Sequence, residues 1–156
     1  MHMARGKPFH SASSSPGETA GIGHALGKLL KPGDVIYIYG DVGAGKTVFV
    51  GGVASALNIE ERITSPTYAI MNMYSGDMPL CHYDAYRIKS PAELFEAGFF
   101  EFSGGRYVAA VEWAENIDAL KPCGCIEVRI GNAGGSETSR VIDIKFDMQA
   151  DEDTGY

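Results

Sequence analysis

Eight residues, Gly40-Asp41-Val42-Gly43-Ala44-Gly45-Lys46-Thr47, restrict this chain more than any other stretch. They fit G-x-x-x-x-G-K-[ST] without a gap, the pattern of a loop that cradles phosphates. The glycines let backbone N–H groups curl around an anion where side chains would obstruct them. The flanks carry as much weight as the loop. "DVIYIY" (34–39) before it is a short β-branched and aromatic run, which reads as a buried strand. After it, Val50, Val53, Ala54 and Leu57 fall on one helical face from about Lys46 to Asn58. In a chain with 20 glycines the pattern could arise by chance, but a strand before it and a helix after it make a plain glycine turn a poor reading. The helix would point its positive dipole end at the anion. Lys46 is then expected to reach the outer phosphates and the Thr47 hydroxyl to bind Mg²⁺. Asp41, Val42, Gly43, Ala44, Gly45, Lys46, Thr47 and Val48 are the expected nucleotide-binding residues.

Such a loop works with an acidic residue at the end of a neighbouring buried strand. Two stand in that position. Asp84 ends "LCHYD" (80–84) and Glu112 ends "YVAAVE" (107–112). Either could ligate the metal or take a proton from attacking water; the bland alternative for each is a surface carboxylate. The run before Glu112 is the more uniformly apolar and suits a central strand. "TSPT" (64–67) reads as a switch-like loop in which Thr64, Ser65 or Thr67 offers a hydroxyl to phosphate or metal, or simply as a loop entering a strand. His82 and Asp84 alternate and share a face of their strand. The expectation for His82 is a satisfied, half-buried residue rather than a catalytic one. Trp113 is core or, if exposed at its strand end, a docking residue.

The remaining elements follow from local signals. "SPGE" (15–18) is a capping box opening a helix that carries Ile22, Ala25, Leu26, Leu29 and Leu30 on one face and stops at Lys31-Pro32-Gly33. "SPAE" (90–93) repeats the pattern for a helix over 91–97. Strands are expected within 64–76 and 79–87, as a hairpin, and at 107–113, 125–131 and 139–146, the last two alternating as half-buried antiparallel strands do. The 156 residues suit one domain over 1–146, with an acidic tail over 147–156. A net charge of −7 argues against strong direct nucleic-acid binding, which runs on Lys and Arg neutralising phosphates. Cys81, Cys123 and Cys125 form neither a disulfide framework nor a zinc motif. No apolar run approaches the roughly 18 residues of a membrane span, and no signal peptide opens the chain, so a reduced, cytoplasmic setting is expected.

Several users of phosphate loops fit this chain poorly. "FSGGR" (102–106) sits immediately before the acidic strand, leaving no room for the helix that a transporter-type ATPase signature needs. A GTPase would carry Asp-x-x-Gly and Asn-Lys-x-Asp; neither occurs. The scattered arginines make no kinase lid, with Arg87 the best candidate to touch a phosphate. What remains is a small Mg²⁺-dependent adenine-nucleotide-binding protein of unstated purpose.

"YGDVGAGKT", "TSPTY", "HYDAYR" with "SPAEL", and "VEWAE" occur in the order and approximate spacing of the TsaE (YjeE) family, and the resemblance covers roughly residues 15–146. The resemblance implies an α/β P-loop NTPase-type three-layer sandwich, with parallel central strands flanked by antiparallel ones. It implies weak ATP hydrolysis, stimulated by partners, in support of the TsaB–TsaD heterodimer that carries out threonylcarbamoylation of tRNA adenosine. By position it makes Lys46 and Thr47 holders of phosphate and Mg²⁺, Thr67 the switch threonine, Asp84 and Glu112 the acidic metal and water-positioning residues, and Trp113 part of the same motif. The segment near Ser15 and the region of Arg140 would border the nucleotide. Val48 and Gly51-Gly52 depart from many relatives, which carry Thr and then Arg there. Two other readings stay open: a nucleotide-responsive binding module in which hydrolysis is incidental, and a small kinase.

Overall fold

The computed structural model describes residues 1–66, 69–102 and 105–147. Thr67, and the expected tail beyond Asp147, lie outside the described residues. The strands form one seven-stranded sheet. In chain order they are β1 (Phe9–Ser13), β2 (Val35–Tyr39), β3 (Met71–Tyr74), β4 (Leu80–Asp84), β5 (Val108–Glu112), β6 (Ile126–Asn132) and β7 (Arg140–Phe146). Their order in the sheet is β1-β7-β6-β2-β5-β4-β3. The inner four, β6, β2, β5 and β4, run parallel. β7 and β1 on one side and β3 on the other are antiparallel. This is the expected fold class, parallel in the middle and antiparallel at the sides.

The helices α1 (Pro16–Gly27), α2 (Lys46–Ala56), α3 (Pro91–Glu96) and α4 (Phe99–Phe102), with a 3₁₀ segment over Ala114–Leu120, cover both faces. β2 shows why the sequence runs apolar there: all five of its residues are buried. Ile36 and Ile38 face α1 and α2, where they meet Leu26, Phe49 and Val53. Tyr37 and Tyr39 face the other way, toward Leu94 of α3, Phe99 of α4 and Ile117. A strand covered on both faces has no polar side to show. Each such fully buried side chain contributes about 1.5–3 kcal/mol. β6 and β7 alternate, as expected, because fewer of their residues face the core.

Both capping boxes differ from expectation. Ser15 Oγ accepts from Glu18 N at 3.1 Å, as the pattern requires, but the Glu18 carboxylate reaches Ser14 N (2.7 Å) and Ser14 Oγ (3.0 Å). At α3 the Ser90 side chain makes no cap bond, and Glu93 accepts from Lys89 N at 3.0 Å. In each case the glutamate satisfies the amide one residue before the cap. α1 also ends at Gly27, before Leu29 and Leu30.

β1 is an edge strand that the sequence does not announce, because in "FHSAS" a single large apolar residue, Phe9, precedes small and polar ones. It takes its backbone partners from β7, with Phe9 opposite Ile144 and Ser13 opposite Arg140. The 3₁₀ segment and α4 were likewise not expected.

Candidate active site

The parallel strands bring the site together. Parallel neighbours end at the same edge of the sheet, where ligands of such folds are held. In register, Ile38 of β2 lies opposite Glu112 of β5, and Asp84 of β4 lies opposite the same Glu112. The glycine loop leaves β2 two residues past Ile38, so loop and carboxylates converge.

The loop has the conformation its glycines allow. Gly43 and Gly45 have φ of 75° and 99°, the left-handed region that side chains disfavour. Gly45 caps α2 without a side-chain hydrogen bond. The first amides of a helix have no intrahelical partner, which leaves a concavity of donors suited to an anion.

Lys46 is buried and folds back on its own loop, donating to the carbonyls of Gly40 and Asp41. Its ammonium lies 3.9 Å from the centroid of the Trp113 ring. Burial pushes its pKa below the ordinary lysine value, against the pull of Glu112, Glu115, Asp84 and Asp41. Thr47 Oγ1 donates to Glu112, with Oε1 at 2.9 Å and Oε2 at 3.1 Å, and lies 2.8 Å from Ser65 Oγ. Of the described "TSPT" hydroxyls, those of Thr64 and Ser65, Ser65 meets Thr47. A hydroxyl and a buried carboxylate side by side are the hard oxygen donors a divalent cation such as Mg²⁺ takes.

Asp84 stands beside them, its Oδ1 accepting from Tyr86 N at 2.9 Å. Burial raises its pKa, with the Tyr86 N–H acting the other way. Together these groups line a cleft of about 540 Å³, whose walls run from Val42 to Val48 and include Ser65, Asp84, Tyr86, Glu112 and Trp113. Asp41 is the expected loop residue outside that lining; its part is the carbonyl that receives Lys46.

His82 departs from expectation. It is fully buried, and its hydrogen bond goes to Glu112 rather than Asp84, Nε2 to Oε2 at 2.5 Å. Arg87 is exposed and lines an adjoining hollow with Lys89, Glu93 and Asn116, outside the cleft. Arg140 is the arginine that meets the loop. Its Nε donates to Ala44 O and its Nη2 to Gly43 O, both at 2.9 Å. With Pro16, Thr19 and Thr138 it borders a small cavity behind the loop.

Trp113 is half-buried and has φ 58° and ψ 41°, a strained backbone for a large side chain, costing of order 1–3 kcal/mol. The strain turns the chain sharply from β5 into the 3₁₀ segment and sets the indole between Lys46 and Tyr86, whose ring centroid is 4.9 Å away. Asn116 Nδ2 ties that segment to the carbonyls of Ala85 and Tyr86. Tyr86 is a wall residue that sequence reading missed. Its signal was its place two residues past Asp84, just beyond the strand end.

The family model for "Threonylcarbamoyl adenosine biosynthesis protein TsaE" matches residues 13–142, from the last residue of β1 into β7. The chain belongs to the TsaE family. Curated TsaE proteins, each described as a tRNA threonylcarbamoyladenosine biosynthesis protein, agree with it over most of their length. That of Bacillus subtilis (strain 168) is 36% identical over 142 residues, 88% of this chain and 89% of the relative. That of Treponema pallidum (strain Nichols) is 40% identical over 110 residues, 70% of this chain and 82% of the relative. Among solved structures, the crystal structure of Bacillus subtilis YdiB superposes with a TM-score of 0.75 at 33% identity, covering 97% of this chain and 93% of that one. The TsaE match therefore includes the glycine loop, both acidic strand ends and Arg140. No helix among the described residues is long and apolar enough to cross a membrane.

Proposed function

We propose that this TsaE-family chain binds ATP with Mg²⁺ in the cleft and hydrolyses it, weakly when alone, in support of the TsaB–TsaD heterodimer in threonylcarbamoylation of tRNA adenosine. Family membership and the relatives' names supply the pathway. One observation carries the chemistry: the Thr47 hydroxyl lies on the buried Glu112 carboxylate, directly beyond the loop lysine.

Each residue has a defined part in this reading. Loop amides from Gly43 to Thr47 receive the phosphate chain. Lys46 leaves the Gly40 and Asp41 carbonyls to pair with a phosphate oxygen, exchanging neutral acceptors for a charged one. Thr47 and Glu112, with Asp84 beside them, would hold Mg²⁺, which when bound neutralises charge on the phosphates. One of the two carboxylates, Glu112 or Asp84, would also orient the attacking water and accept its proton. Trp113 and Tyr86 give the cleft an aromatic rim for a protein partner. An acidic chain of this kind leaves the tRNA contacts to its partners, and the setting is the cytoplasm.

The test is ATP hydrolysis by the purified chain with Mg²⁺, alone and with TsaB–TsaD. Weak turnover that rises with the heterodimer is expected. No turnover under either condition would refute the ATPase reading. Strong turnover indifferent to TsaB–TsaD would refute the partnership and leave the cleft assignment standing.

A further inference from the structure

His82 stands in the interior of β4, opposite Ala110 of β5, and is fully buried. Such a position ordinarily carries an apolar residue, since burying an imidazole costs free energy unless its nitrogens find partners. Among the described residues only one does. Nε2 lies 2.5 Å from Glu112 Oε2, and Nδ1 has no partner. The fold keeps an unsatisfied ring nitrogen in its core together with a single hydrogen bond to one carboxylate.

That carboxylate is shared by two neighbours. His82 lies on Oε2, and Thr47 Oγ1 lies 2.9 Å from Oε1 and 3.1 Å from Oε2. A glutamate side chain has three rotatable bonds, and a site carboxylate on a free stem would sample orientations that miss the cleft. β4 pairs with strands on both sides, so an anchor on it is rigid. Asp84, two residues on, is engaged separately by the Tyr86 amide.

We propose that His82 is the positioning residue of Glu112: its Nε2–H donates to Oε2 and so holds the carboxylate facing Thr47 and the cleft. An acceptor-only carboxylate places a proton on Nε2. The assignment rests on the ATPase reading of the cleft.

Two substitutions separate positioning from filling space. His82→Leu fills the slot without a donor, and His82→Gln restores an N–H near the place of Nε2. Each is measured with Mg²⁺-ATP and TsaB–TsaD for kcat and KM, with a fluorescent ADP analogue for affinity, and for its thermal midpoint. His82→Leu is expected to stay folded and hold affinity within about threefold, while kcat falls roughly 10–100-fold. His82→Gln is expected to recover most of that loss. His82→Leu added to Glu112→Gln is expected to lower kcat no further than Glu112→Gln alone, because the positioned group is already gone. Wild-type turnover in His82→Leu, no advantage of Gln over Leu, or additive losses in the double variant would each overturn the assignment. Should His82→Leu not fold, His82→Asn takes its place, its amide too short to reach Oε2, and full activity there overturns the assignment equally. An inert wild-type chain would overturn the ATPase reading and this assignment with it, whereas an active wild type with an active His82→Leu overturns only the assignment.

Discussion

The Lys46 ammonium sits against the face of Trp113, 3.9 Å from the ring centroid, while donating to the carbonyls of Gly40 and Asp41. The cation proposed to bind phosphate thus lies against the chain's one tryptophan. A nucleotide that draws Lys46 off the ring changes the electrostatic surroundings of the indole. Adding ADP or ATP with Mg²⁺ is therefore expected to alter Trp113 fluorescence. In Lys46→Ala the free protein is expected to differ in emission and respond little. Nucleotide affinity in that variant should fall at least tenfold, since a charge-assisted phosphate contact is worth roughly 1.5–3 kcal/mol. Unchanged affinity by calorimetric titration would place the phosphates elsewhere.

Arg140 holds the loop from behind. Its guanidinium donates to Gly43 O and Ala44 O, and also to Glu137 O (2.6 Å) and Ser139 O (2.9 Å). Four carbonyls around one planar fork cannot be matched by a lysine's point charge. Both Arg140→Ala and Arg140→Lys are expected to weaken nucleotide binding about tenfold, the lysine rescuing little. Affinity in Arg140→Lys equal to wild type would show that charge alone suffices.

The carboxyl of Asp84 takes up its proton more readily in the folded chain than in the unfolded one, because burial disfavours its charged form more than the Tyr86 N–H favours it. The folded state then binds more protons, so stability falls as pH rises through that range. This contribution is complete below the ordinary carboxyl value of 3.8 and is lost as pH passes the higher folded value. Asp84→Asn, without nucleotide or Mg²⁺, is expected to have the higher thermal midpoint at about pH 7 and to lose that advantage near about pH 3. Its ATP hydrolysis should move the other way, falling roughly a hundredfold. A midpoint at neutral pH no higher than wild type would count against a desolvated carboxylate.

α1 and α2 cross closely at glycines. A Cβ on Gly52 would lie 2.0 Å from the Ala20 carbonyl oxygen, a backbone atom that cannot step aside. Gly51, its neighbour, has nothing within 4 Å. Gly52→Ala is expected to destabilise by about 1–3 kcal/mol through forced separation of the helices. Gly51→Ala should stabilise by about 0.5–1 kcal/mol, since it removes helix-interior glycine at no steric cost. Urea unfolding of the pair checks both signs, and matching shifts would contradict the close crossing. The same contact gives a physical reason for the glycine at 52.

The glycine loop, its flanking strand and helix, and the two acidic strand ends were legible in the sequence because each is a local signal. A fully apolar run, a glycine spacing and a helical period need only near neighbours to be read. Whatever depends on pairing distant segments was not. "FHSAS" becomes β1 only because β7 offers it hydrogen bonds. Asp84 and Glu112 become neighbours only because β5 inserts between β2 and β4, an order that no local propensity encodes. His82 reads as an ordinary strand residue until that insertion sets its ring against Glu112. Arg140, almost a hundred residues from the loop, reaches it only once β7 is paired. The sequence by itself determined the central elements, β2, α2, β4 and β5, and the residue types at their ends. The tertiary structure decided which carboxylate meets the loop hydroxyl and which side chains hold both in place, because those contacts exist only after chain closure brings parallel strand ends to one edge.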